Sequence, residues 1–105
     1  MDWQSIYQSR VCTAEEAVKA IKSGNRVFMT GNVSVPQMLL AALCEYAPFL
    51  YDVEICQALS IGSADYVKPE LESHLRVNSL FIGANVRKAI WDGRADFTPV
   101  LLSEF

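Results

Sequence analysis

The chain has 105 residues, the size of one domain, with 51% hydrophobic and 20% charged residues. That composition excludes a second catalytic domain, a disordered chain and a fibre. Nine Lys and Arg against twelve Asp and Glu leave a net charge of −3, so the basic field that nucleic-acid binding requires is missing.

The longest apolar run, residues 38–44, is far shorter than the roughly 20 residues that span a bilayer core, so no membrane partner is predicted. Met1, Asp2 and Trp3 open no basic-then-apolar signal sequence, which predicts a cytoplasmic protein. Cys12, Cys44 and Cys56 are odd in number and form no C-x-x-C pair. They suit neither a disulfide framework nor a metal site and are read as small buried hydrophobes in a reducing compartment.

In chain order, Thr13 with Glu16 forms a capping box that starts a helix at Ala14. Ala14, Ala17, Val18 and Ile21 recur on one face, and Gly24 supplies the stop. Residues 26–30 read as a β-strand ending at Gly31, and Pro36 suits the first turn of a helix over 36–47. That helix is apolar nearly all round, with only Gln37 and Glu45 clearly polar, so both of its sides need cover. A short chain has little to offer, which predicts a homo-oligomer through helix 36–47. Residues 53–59 read as a second strand, and 65–75 as a poor helix interrupted by Pro69. A third strand over 76–82 leads into Gly83, a helix over 85–91 closes at Gly93, and a fourth strand occupies 97–102. Strands alternating with helices predict an α/β fold of successive βαβ units, a mainly parallel sheet of about four strands within a single domain over 1–105.

In such a sheet the ligand site lies beyond the carboxyl ends of the strands. The rule singles out Gly31, Asn32, Val33 and Ser34 after the first strand, and Gly83, Asn85 and Arg87 after the third. Residues 60–63, and Ser103 with Glu104, end the other two. Gly31 and Gly83 permit close backbone approach, and helix N-termini behind them could hold a phosphate or an oxyanion; ordinary βα turns look the same. Neither G-x-G-x-x-G nor a Walker loop is present, and Gly62 and Ser63 do not form a nucleophile elbow. His74 stands alone and reads as a solvated or half-buried helix residue, with no metal role. Arg87, Lys88 and Arg94 form the densest positive cluster, although Arg94 could equally pair with Asp92 and Asp96 on the surface. Trp3, Tyr7 and Trp91 read as packing residues rather than a stacking platform.

Taken together, these residues resemble the N-terminal part of the acetyl-CoA hydrolase/transferase family, especially its 4-hydroxybutyrate CoA-transferase branch. The resemblance rests on residues 13–18 and 21–27, on Pro36 with Leu39, Leu40, Ala42 and Leu43, and on Tyr66, Pro69 and Glu70. It continues through 76–79, Phe81, Gly83, Arg87, 93–97, Pro99, Val100 and 102–104.

The resemblance implies a CoA-transferase-like fold of two similar halves, of which this truncated chain matches only the first part of the first. It implies coenzyme A or acyl-CoA as ligand, with no covalently bound cofactor. In the family the nucleophilic glutamate belongs to the second half, so no residue here inherits a catalytic role. The chain would then be inactive alone, and a partner chain would carry the missing catalytic half. The family's glycine-containing loop before a proline-started helix corresponds to residues 31–36, where Val33 and Val35 replace smaller residues. A non-catalytic oligomeric binding or assembly module on the same fold is the alternative.

Overall fold

The computed structural model describes residues 2–105. Helix α1 (Trp3–Arg10) was not expected, because it has no apolar face to announce it. Its start is fixed by Asp2, whose carboxylate accepts from the Gln4 amide at 3.0 Å and the Ser5 hydroxyl at 2.8 Å. Trp3 and Tyr7 point into solvent, as does Trp91, so the packing role predicted for these aromatics is not met within this chain.

Helix α2 (Ala14–Ala17) begins where Thr13 predicts, its hydroxyl accepting from the Glu16 amide at 3.2 Å. It tightens into a 3-10 turn, Val18–Ala20, and ends at the extended Ile21, before Gly24. The Asn25 side chain accepts from the Lys22 amide at 2.9 Å and makes the turn, while Gly24 at φ +83° swings the chain into β1 (Arg26–Met29). Helix α3 (Gln37–Tyr46) follows Pro36, whose carbonyl accepts from the Leu40 amide at 3.0 Å, and runs on into a 3-10 turn at Ala47–Phe49. It buries Leu40, Ala42 and Leu43 and half-buries Cys44 and Tyr46, with α2 packed beside it. Met38 and Leu39 remain exposed.

Strand β2 (Val53–Ala58) leads to two 3-10 turns, Asp65–Val67 and Pro69–Leu71, in place of the predicted poor helix. Pro69 opens the second turn, where its missing N–H costs nothing. His74 thus lies on no helix; its Nδ1 is 2.6 Å from the Leu50 carbonyl oxygen and its ring lies 4.8 Å from that of Tyr51. Strand β3 (Leu75–Phe81) and helix α4 (Ala84–Trp91) match expectation. The fourth strand shrinks to β4 (Asp96–Phe97), with one further bond from the Thr98 amide to the Ser79 carbonyl at 3.0 Å.

All four strands are parallel, in the order β1-β2-β3-β4. Right-handed crossovers that always step in the same direction lie on the same side of the sheet. Burial follows: Met29, Val53, Ile55, Leu75 and Val77 pack against Val18, Leu40, Leu43, Tyr66, Val86 and Ala89. The alternate residues, Arg26, Phe28, Glu54, Cys56, Arg76 and Asn78, line an opposite face that carries no helix and is nowhere fully buried. No helix among the described residues is long and apolar enough to cross a membrane.

Candidate functional site

The loops after β1, β2 and β3 meet at the carboxyl end of the sheet. Asn32 pairs with Ser60 as an isolated parallel bridge, and its amide donates to the Leu59 carbonyl at 2.8 Å. This bond presses Gly31 onto β2 so closely that a β-carbon there would sit 2.2 Å from the Ala58 carbonyl oxygen. Gly31 is therefore required by contact rather than by its torsion. The loop closes on itself: Ser34 donates its amide and its hydroxyl to the Gly31 carbonyl, at 3.1 and 2.7 Å, and Thr30 donates its hydroxyl to Ser34 at 2.7 Å.

Leu59 lies between the first and third loops. At φ +44° it holds a left-handed conformation that is costly for a bulky side chain, pinned by its amide's bond to the Phe81 carbonyl at 2.8 Å. Its side chain packs where Gly83 leaves room, 3.4 Å from a β-carbon placed on that glycine.

Beneath the loops lies a polar cluster. Gln57 and Ser79 are wholly buried, and Ser60 and Tyr66 nearly so. Ser79 donates to Gln57 Oε1 at 2.9 Å, while Gln57 Nε2 and Asn85 Nδ2 each donate to the Ser60 hydroxyl at 3.2 Å. Those two donors occupy both lone pairs of Ser60, so its own proton points to the Tyr66 hydroxyl oxygen, 2.9 Å away. Asn85 also donates to the Gly62 carbonyl at 3.2 Å, and its Oδ1 is buried without a partner among the described residues.

Above the loop after β1 a cavity of about 490 Å³ is lined by Thr30, Gly31, Asn32 and Ser34 together with Phe28, Leu59, Phe81, Leu102 and Phe105. Three of the four predicted first-loop residues thus share one cavity wall, while Val33 is 92% exposed and turns to solvent. Gly83 is buried beside Leu59, Asn85 braces the middle loop, and Arg87 is exposed on α4 without lining the cavity.

Every side chain lining that cavity is uncharged, so it can receive an apolar group or hydrogen-bond an oxyanion, but it offers no general base. Burial pushes the Cys44 thiol up, with the nearby Asp65 carboxylate adding to the effect. Burial and the hydrogen bond to Glu54 do the same for Cys56, so both thiols stay protonated at neutral pH. Cys44 and Cys56 are half-buried, but Cys12 is exposed, against the expectation for all three. No group of three His, Cys, Asp or Glu side chains among the described residues is placed to hold a metal ion.

Arg94 meets Asp92 at 3.4 Å, but Asp96 is taken by Arg76, at 2.6 and 2.8 Å. The sequence reading missed Gln57, Tyr66 and Leu59. Gln57 was the detectable one: it is polar yet in phase with the buried Val53 and Ile55 along β2.

The model for the acetyl-CoA hydrolase/transferase N-terminal domain matches residues 1–105. The 4-hydroxybutyrate coenzyme A transferase of Clostridium kluyveri is 36% identical over 104 residues, covering 99% of this chain and 24% of that protein. A succinyl-CoA:acetate/propanoyl-CoA:succinate CoA transferase of Fasciola hepatica is 39% identical over 92 residues, covering 86% of this chain and 19% of that protein. Among solved structures, RipA from Yersinia pestis superposes with a TM-score of 0.82 at 25% identity, over 99% of this chain and 27% of that one. The 4-hydroxybutyrate CoA-transferase from Porphyromonas gingivalis gives 0.66 at 27% identity, over 88% of this chain and 24% of that one. The chain belongs to the acetyl-CoA hydrolase/transferase family, as its N-terminal domain, and spans about a quarter of the length of these relatives.

Proposed function

We propose that this chain supplies the ligand-binding loop face of a CoA-transferase and binds coenzyme A or an acyl-CoA there, without turning it over alone. The observation that carries the reading is the cavity beside Gly31. Its walls are apolar enough for an acyl group, and its polar groups are confined to Thr30, Asn32 and Ser34. Attack on a thioester needs an activated nucleophile as well as preorganised donors. The loop offers donors only, so in this reading the nucleophile comes from a separate catalytic half. Gly83 and Asn85 hold the middle loop in place, and exposed Arg87 is available to the phosphates of a ligand reaching past the α4 N-terminus.

Calorimetric titration tests this, with acetyl-CoA and free CoA as ligands and ATP as the nucleotide control. Saturable heat from the CoA species but not from ATP is expected. No heat and no thermal shift at millimolar ligand would remove the binding role.

A second reading, self-association without catalysis, draws on Met38 and Leu39, which stay 79% and 42% exposed on α3. It requires a solution mass of two or more chains that Leu39→Glu returns to one. A mass that the substitution leaves unchanged rejects it.

A further inference from the structure

Helix α1 buries none of its eight residues, and isolated helices shorter than about 12–15 residues are marginal in water. Something has to pack against it. Trp3 and Tyr7 stand one turn apart, 71% and 61% exposed, and Arg10 follows one turn further along the same side.

The surface that complements these side chains is on the same chain. Where α1 ends, a groove of about 470 Å³ opens between the start of α2 and α3, lined by Cys12, Thr13 and Glu15 and by Met38, Ala41 and Glu45. Met38 is 79% exposed there and offers a polarisable thioether, a good contact for an aromatic ring. Glu15 and Glu45 have no ion-pair partner among the described residues, and neither has Arg10. The groove thus carries two carboxylates and no cation, while the helix carries one cation and no carboxylate.

α1 contributes nothing to the groove of its own chain. Val11 and Thr13, in the link to α2, are both extended, so the link makes no turn that lays α1 back. A second copy has no such restriction. Because Cys12 and Thr13 form one end of the groove, two chains that meet there about a two-fold axis can each lay α1 in the other's groove, and the exchange closes at two. Covering the exposed parts of both rings in both copies removes roughly 400–700 Å². The groove walls lose about as much, which brings the total to the region of about 1,200 Å² where specific interfaces begin.

We propose that α1 is an exchanged arm. In a homodimer of this chain, Trp3 and Tyr7 of each copy pack on Met38 and Ala41 of the other, and Arg10 meets the carboxylates of Glu15 and Glu45 there. The proposal rests on the self-association reading and names its contact.

The test follows the solution mass of the full chain against concentration and, in parallel, the emission of Trp3 in a Trp91→Phe variant, where it is the sole tryptophan. Trp91 is 78% exposed and outside the groove, so this variant should fold and associate as the parent does. The mass is expected to double, with the Trp3 emission moving to the blue and becoming resistant to acrylamide over the same concentration range. Trp3→Ser and Met38→Asp should each weaken the dimer roughly tenfold or more, without changing the single chain's circular dichroism, because both residues are exposed in it. Arg10→Glu sets a third carboxylate against the two in the groove and should weaken the dimer most at low salt. The mass of one chain at every concentration would overturn the proposal together with the self-association reading. A dimer whose Trp3 emission does not move, one indifferent to Arg10→Glu at low salt, or one that Leu39→Glu dissolves while Trp3→Ser and Met38→Asp do not, would overturn the arm exchange alone. A blue shift at dilutions where the mass is still that of one chain would do the same, by placing α1 on its own groove.

Discussion

Replacing Gly31 by Ala gives the sharpest check on how the loop face is built. The added carbon would lie 2.2 Å from the Ala58 carbonyl oxygen, about 0.8 Å inside the shortest approach that real side chains show. Moving the loop outward by that amount stretches the Asn32–Leu59 hydrogen bond from 2.8 Å to about 3.6 Å, past the limit for a bond. Losing the bond costs ~0.5–1.5 kcal/mol and forcing the overlap ~1–3 kcal/mol, offset by ~0.4–1 kcal/mol from the lower unfolded-state entropy of Ala. A net loss of ~0.5–4 kcal/mol remains, or roughly 2–30 °C in melting temperature for a domain of this size. Thermal unfolding followed by circular dichroism measures it. Gly24→Ala is the control: it meets open space and should lose only the ~1 kcal/mol that its positive φ imposes. A Gly31→Ala melting temperature within about 2 °C of the parent would refute the claim that backbone contact, rather than chance, puts glycine here.

Two further substitutions probe the polar elements. Ser60→Ala strands the buried amide donors of Gln57 and Asn85 and should cost ~2–4 kcal/mol in urea unfolding, against under 1 kcal/mol if the cluster is dispensable. Arg76→Met tests the acid limb of stability. The hydrogen bonds from Arg76 hold the Asp96 carboxyl below its ordinary value, so the pair stabilises the fold above the unfolded carboxylate pKa near ~3.9 and is lost as pH falls through the lower folded value. Melting temperatures measured from pH 6 downward should therefore fall less steeply in Arg76→Met than in the parent. Equal slopes would mean that solvent screens the pair completely. Glu54 is also held low, chiefly by its hydrogen bond from Asn78, and keeps its own share of the acid response in both proteins.

Local chemistry legible in the sequence placed most of the elements. The cap at Thr13, the proline before α3, the alternation along β2 and β3 and the glycine at 93 each act within a few residues, so the α/β class and the order of strands and helices could be read without coordinates. One failure has a local cause too: α1 has no buried stripe to betray it. The family motifs were equally legible, because residue types in order do not depend on what they touch.

Only the tertiary structure decided what long-range contact decides. Gly31 and Leu59 are 28 positions apart, and neither spacing nor composition tells that one loop is pressed onto the other's carbonyl or that Leu59 is held at φ +44° between them. Phe28 stands in the strand read over residues 26–30, and it lies on the bare face, because a strand's alternation fixes two faces without saying which one is covered. That choice belongs to the handedness of the crossovers and the order of the strands, properties that exist only once the chain has folded back on itself.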